Sequence, residues 1–206
     1  MILPDNEVTR RQAANIIAAG GVIAFRTDTF YGLGADPLSA GAVQKIRELK
    51  GREDTKPILL LISDANQVDR FITGRTDAFH DLSKRFWPGP LTLVAHARAE
   101  LPVELTAGTD SIGLRLPDDQ GVAALVAQCG GALTATSANI SGREPARTAA
   151  EVKGFFPVGI DLIVDSGEVA ATKPSTVVDV AGQTPRMIRE GVITQRQLFD
   201  KSLLDS

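Results

Sequence analysis

Lys50-Gly51-Arg52-Glu53-Asp54-Thr55-Lys56-Pro57-Ile58-Leu59-Leu60-Leu61-Ile62 decides the reading of the fold, because a charged loop runs directly into an uninterrupted apolar segment. Ile58–Ile62 reads as a strand buried on both faces. Upstream, Ala40–Leu49 reads as a helix, with Ser39 as its N-cap and Gly51 supplying permissive backbone at its end. Lys50, Arg52 and Lys56 crowd onto the loop between them. From Lys45 to Lys56 five positive residues stand against three negative ones, whereas the whole chain carries −3. A solvated turn would also accept such charges. The excess runs against the background, however, and suits an anion.

Four further polar clusters lie at predicted strand ends. Thr134-Ala135-Thr136-Ser137-Ala138-Asn139-Ile140-Ser141-Gly142 brings hydroxyls, an amide and a glycine into one turn, where N–H groups and side chains can converge on phosphate oxygens or a purine edge. By itself it also fits an ordinary turn closing a strand. Arg26-Thr27-Asp28-Thr29-Phe30-Tyr31-Gly32-Leu33-Gly34 follows the strand Val22–Phe25, at the place where open α/β sheets bind ligands. Lys173–Asp179 and Arg189-Glu190-Gly191 complete the set.

The remaining elements alternate. Thr9 is expected to cap a helix running through Ala19, with Gly20 at its end. Asp64 caps a short helix from Ala65, a longer helix covers Asp77–Phe86, and Leu91–His96 is a strand followed by a polar loop. Then come the strand Ser111–Arg115, the helix Gly121–Gln128 capped by Asp119, the strand Ala132–Thr136 and the helix Ala149–Phe155. Strands near Leu162–Val164, Ser175–Val180 and Arg186–Arg189 lead to a terminal helix within Gln195–Leu204. The pattern predicts a single α/β domain over residues 1–206 around a mixed sheet, with a core from about 9 to 193 and a short helical tail over 194–206. Gly142–Arg147 and Val169–Pro174 are the expected mobile segments.

At 206 residues, such a domain buries roughly 70% of its unfolded surface. With 43% hydrophobic and 23% charged residues, the composition is globular. The single Cys129 has no disulfide partner within the chain and is expected in the core, which makes a reducing cytoplasm the simplest compartment. No apolar run approaches the roughly 18 residues of a membrane span, so a soluble protein is expected. Net negative charge and 5% aromatics argue against broad nucleic-acid binding and leave RNA contact to a local patch.

The motifs, in order, resemble the YrdC family of threonylcarbamoyl-AMP synthases. They are Thr27–Leu33, Lys50–Pro57, Trp87-Pro88-Gly89-Pro90-Leu91-Thr92, Gly113-Leu114-Arg115-Leu116-Pro117, Ser137–Gly142, Pro174-Ser175-Thr176-Val177 and Arg189-Glu190-Gly191. The resemblance covers Thr9 to Ile193 and implies a twisted mixed sheet with flanking helices around a concave basic cavity. Longer members carry a second domain, so the chain resembles the short form. The family combines L-threonine, bicarbonate or CO2, and ATP with Mg2+ into threonylcarbamoyl-AMP and pyrophosphate. A downstream tRNA threonylcarbamoyl-transferase machinery uses that product, and weak tRNA contact is conceivable.

Carried over by motif, Lys50 and Arg52 are the expected catalytic cations. ATP would be held by Lys50, Arg52, Lys56, Ser111, Ser137, Asn139, Arg147 and Arg189, and threonine by Thr29, Tyr31, Arg115 and Ser175. No protein metal ligands are implied, and neither His80 nor His96 falls in a motif. The sequence departs from the family at Arg26, often Pro, at Phe30, often Val, and at Leu61, where some relatives place a histidine near threonine. The competing reading is a non-catalytic RNA-binding module using the same basic cavity.

Overall fold

The structure is a computed structural model, and it describes residues 1–51 and 56–199. The chain runs β1 (Ile2–Pro4), α1 (Glu7–Ala18), β2 (Ile23–Arg26), β3 (Tyr31–Gly34), α2 (Ala40–Leu49) and β4 (Leu60–Ile62). A 3-10 segment (Ala65–Arg70), α3 (Asp77–Phe86), β5 (Leu91–His96), α4 (Val103–Thr106), β6 (Ser111–Arg115) and α5 (Gln120–Gln128) follow. The last part contains β7 (Ala132–Thr134), β8 (Thr136–Ser137), α6 (Ala149–Phe155), β9 (Leu162–Asp165), β10 (Thr176–Asp179), β11 (Arg186–Arg189) and α7 (Gln195–Phe199).

The helices and strands alternate as the sequence implies, but the strands divide between two mixed sheets. The first has the order β1-β9-β2-β3-β8 and the second β11-β10-β5-β6-β4-β7. The predicted strand Ala132–Thr136 is where they part. β7 pairs antiparallel with β4 in the second sheet, whereas β8 pairs with β3 in the first, leaving Ala135 as the joint between them. Thr134 stitches the joint: its hydroxyl accepts from the Ala35 N–H at 2.8 Å, and its own N–H donates to the Ala35 carbonyl at 3.1 Å.

Local chemistry explains the boundaries. Asn6, not Thr9, caps α1, because its side chain accepts from Thr9 N–H at 3.0 Å and starts the helix three residues earlier. Ser39, Asp64 and Asp119 cap as expected. β4 is shorter than the predicted Ile58–Ile62, since ladder pairing with β6 begins at Leu60↔Leu114. β3 was not foreseen: Thr27–Phe30 is a four-residue hairpin turn, and the strand after it returns antiparallel to β2. The expected tail helix is seen as α7, and its continuation to Leu204 lies outside the described residues.

Two apolar cores result. One gathers Ala13 and Ile17 of α1, Val122 and Leu125 of α5, and Ile23, Phe25, Leu61 and Leu133 from both sheets. The other lies beneath α2, α3 and α6 and includes Val43, Ile46, Phe79, Leu93, Leu114 and Val152. Leu61 is fully buried in the first core, so this position offers no polar contact to a ligand.

Candidate functional site

A cavity of about 790 Å³ opens between the two sheets, in the upper part of the roughly 300–1,000 Å³ range of small-molecule sites. Strand alternation decides which side chains reach it. On β5, β6 and β10, Thr92 and Val94, then Ser111, Gly113 and Arg115, and then Val177 line the cavity. Leu91, Leu93, Ile112, Leu114 and Val178 point into the apolar core. Gly113 keeps this floor low, because a Cβ there would stand 3.1 Å from the Thr92 methyl.

Arg115 ends β6 and is only 3% exposed, yet it lines the cavity. Its Nη1 donates to Thr29 Oγ1 at 3.2 Å and faces Asp28 Oδ1 at 3.1 Å. Burial lowers the guanidinium pKa from its ordinary value, Asp28 opposes that, and nearby Arg189 reinforces it. The hairpin turn fixes the partners: Thr27 Oγ1 accepts from the N–H groups of Thr29 and Phe30 and donates to the Phe30 carbonyl at 2.7 Å. Sequence reading passed over Asp28. Its position between two motif threonines, on the strand end opposite an expected cation, was the available signal.

Ser175 and Arg189 form the adjoining wall. Arg189 donates from Nε and Nη2 to the Ser175 carbonyl at 3.2 and 3.0 Å, and partial burial lowers its pKa. The Ser175 hydroxyl sits 3.0 Å from Thr92 Oγ1. Thr92 is also a cavity residue. Gly191 closes the Arg-Glu-Gly motif for a steric reason, since a Cβ would fall 2.1 Å from the Pro174 carbonyl oxygen. Its N–H donates to Thr176 Oγ1 at 3.0 Å. Trp87 is part of the scaffold: its indole N–H donates to the Leu91 carbonyl at 2.7 Å, and its ring meets Phe79 edge-on.

The opposite wall is the Ser137 turn. Ser137, Thr136, Lys56 and Arg143 line the cavity, as do Gly142, Glu144 and Pro145. Lys50 and Asn139, also expected on the nucleotide, are not among the lining residues and stand directly behind Ser137. Lys50 caps α2, is 4% exposed, and donates from Nζ to the Ser137 carbonyl and to Asn139 Oδ1 at 3.2 Å. Asn139 accepts from the Ser137 hydroxyl at 2.6 Å and donates to the carbonyls of Ile140 and Arg143. Both shape the turn from behind.

Arg147, also expected on the nucleotide, donates from Nε and Nη2 to the Val169 carbonyl and pairs with Glu168 at 3.4 Å. Arg143, four residues earlier, is the arginine of this loop that lines the cavity. Its place just after the Ser-Gly pair was the missed signal. Tyr31 walls the cavity, but its hydroxyl is turned away, donating to the Gly167 carbonyl at 2.9 Å and to Asp165 Oδ1 at 3.2 Å. Burial raises its pKa to about 12. Arg52 lies outside the described residues. His96 sits 3.5 Å from Asp110, and neither histidine lines the cavity. The departure at Arg26 is an ion pair with Asp119 at 2.8 Å.

Residues 15–191 match the family model Sua5_yciO_yrdC, described as telomere recombination. The chain is 36% identical over 197 residues to threonylcarbamoyl-AMP synthase of Bacillus subtilis (strain 168), covering 95% of this chain and 57% of the relative. It is 37% identical over 173 residues to the Idiomarina loihiensis protein of the same name, covering 82% of this chain and 91% of that one. The crystal structure of P. abyssi Sua5 complexed with L-threonine superposes with a TM-score of 0.89 at 35% identity, covering 93% of this chain and 57% of that chain. The chain thus spans little more than half the length of the Bacillus and P. abyssi proteins. With the family model spanning most of its length, the chain belongs to the Sua5/YciO/YrdC family.

Proposed function

We propose that the protein is an L-threonylcarbamoyl-AMP synthase, joining L-threonine, bicarbonate or CO2, and ATP into threonylcarbamoyl-AMP and pyrophosphate. The observation that carries this reading is a single cavity with a buried guanidinium, Arg115, on its strand floor and the Ser137 turn with Lys56 and Arg143 facing it. Support also comes from relatives named as this synthase and from Sua5 crystallised with threonine.

In this reading Arg115 takes the threonine carboxylate, while the Thr29 and Ser175 hydroxyls meet its amine, hydroxyl or carbamate. Lys56, Arg143, Ser111, Ser137 and Arg189 hold the nucleotide, with Arg52 on the same loop as Lys56. Lys50 and Asn139 act by holding the Ser137 turn in shape, and Arg147 by tying its loop to Val169. The neutral amine forms a C–N bond with bicarbonate as water leaves. A carbamate oxygen then attacks the α-phosphorus, and the bond to the bridging oxygen breaks to release pyrophosphate. Such chemistry rests on positioning and charge stabilisation, so a cavity without histidine suits it. Mg2+ enters as the counter-ion ATP brings. Among the described residues no three His, Cys, Asp or Glu side chains gather as a cage for it.

The reading extends to a single YrdC-like domain working in the cytoplasm, whose product is passed to the tRNA threonylcarbamoyl-transferase machinery, with at most weak tRNA contact of its own. Among the described residues no helix is long and apolar enough to cross a membrane. Pyrophosphate release by purified protein with ATP, Mg2+ and bicarbonate, with and without L-threonine, is the test. Release that needs threonine and bicarbonate and collapses in Arg52→Ala and Arg115→Ala is the expected result. No release under any combination rejects it.

A further inference from the structure

Three of the four enclosed side-chain polar atoms without a hydrogen bond among the described residues belong to one pair: both carboxylate oxygens of Asp28 and Nε of Arg115. A carboxylate and a guanidinium usually close a two-point fork. Here they touch at one point, Nη1 to Oδ1 at 3.1 Å, while Nη1 also donates to Thr29 Oγ1. Nη2 takes no part in either contact, and Arg115 is the member of the pair that lines the cavity. Asp28 does not line it.

We infer that Asp28 is a positioning residue for the substrate carboxylate: it anchors one amino group of Arg115 and thereby aims the other into the cavity. The inference rests on the synthase reading for the identity of the ligand. The local charge supports it. Arg189 is near enough to disfavour the charge of Arg115, and Asp28 leaves the three with one net positive charge. One carboxylate makes that zero. A buried arginine with no anchored side would lose its aim as well as the opposite charge that offsets its burial. The turn around Asp28 is fixed by Thr27, whose hydroxyl binds the next two N–H groups, so the anchor is rigid before any ligand arrives.

The test compares full-length wild type, Asp28→Asn and Asp28→Glu by pyrophosphate-release kinetics and by calorimetric binding of L-threonine and L-threoninamide, which lacks the carboxylate. In Asp28→Asn, KM for threonine rises about 10- to 100-fold, the loss of one charge-assisted hydrogen bond, while KM for ATP stays within about twofold. Threoninamide binds wild type weakly, and Asp28→Asn costs it nothing further, because both changes remove the same contact. Asp28→Glu recovers part of the threonine affinity. Equal losses for threonine and threoninamide, an equal rise in KM for ATP, or an unchanged KM for threonine would each overturn the inference. If Asp28→Asn shows no cooperative melting, Asp28→Glu decides: a loss confined to threonine supports the role, and matched losses for threonine and ATP reject it. Wild type that binds threonine without releasing pyrophosphate would reject the synthase reading, while the threonine and threoninamide titrations would still report on Asp28.

Discussion

The two walls of the cavity are built by different means. On the floor, Arg115 and Ser175 sit on or beside paired strands, with their directions set by ladder register and by the Thr27 turn. On the opposite wall, Lys56, Arg143 and Ser137 sit on loops and a two-residue strand, supported from behind by Lys50 and Asn139. A rigid cation with a buried counter-charge suits a small ligand of fixed shape, such as an amino acid. Cations on loops suit a longer, more variable anion, such as a polyphosphate. The comparison teaches that charge alone does not mark a binding residue. Whether a cation faces ligand or scaffold depends on what lies behind it.

Removing Arg115 should break the comparison most severely. Arg115→Ala is expected to raise KM for threonine by at least about 30-fold and to cost about 3–5 kcal/mol of stability by leaving Asp28 without its buried partner. Steady-state kinetics and urea unfolding measure the two effects. The walls separate next at the two loop lysines. Lys50→Met should cost about 1.5–3 kcal/mol, as expected for a charge-assisted bond, and weaken ATP as the turn loosens. Lys56→Met should change stability by no more than about 0.5 kcal/mol, because the residue is exposed, yet still raise KM for ATP. Equal stability losses in the two variants would erase the distinction between a hidden and a facing lysine. On the floor, Gly191→Ala should cost about 1–3 kcal/mol by overpacking against the 174–175 backbone and should weaken threonine more than ATP. Kinetics and thermal melting would show it.

The smallest effect is a titration. Burial raises the pKa of Tyr31 from 10.0 to about 12 and that of Cys129 from 9.0 to about 12. Both groups are held neutral in the fold, so stability is full below the unfolded pKa values and falls as pH rises from about 9 to 12, where only the unfolded chain ionises. Tyr31→Phe should flatten that fall above pH 10 in denaturant titrations. An unchanged slope would mean the phenol is not held neutral by its surroundings.

Much of this was readable from residues. α2, α3, β5, β6, α6 and β11 have the predicted limits, because each has a clear periodicity bounded by a cap, a turn or a proline. β3 was hidden because Tyr31-Gly32-Leu33-Gly34 has glycine where a strand usually shows side chains. Gly34 is needed because a Cβ would approach the Phe25 ring to 2.7 Å. The division into two sheets was hidden too, since Ala132–Thr136 looks continuous and only tertiary pairing reveals the change of partner. At the site, residue types marked the right neighbourhood. They did not show that Arg143 and Lys56 line the cavity while Arg147 and Lys50 donate to backbone carbonyls, because direction depends on contacts far away in the chain.

The joint at Ala135 ties the walls together by counting. Thr134 is registered against β4 and Ser137 against Gly32 of β3, with Ala135 N–H bonded to the Leu59 carbonyl at 2.9 Å between them. Side chains alternate along a strand, so one residue added at this joint must either bulge it or slip the β8 register by one and turn Ser137 to the opposite face. Length here is thus as much a part of the site as any charge. A change of length in the Gly142–Pro145 loop beyond reshapes only that wall, but the short span from Thr134 to Ser137 has almost no freedom to gain or lose a residue.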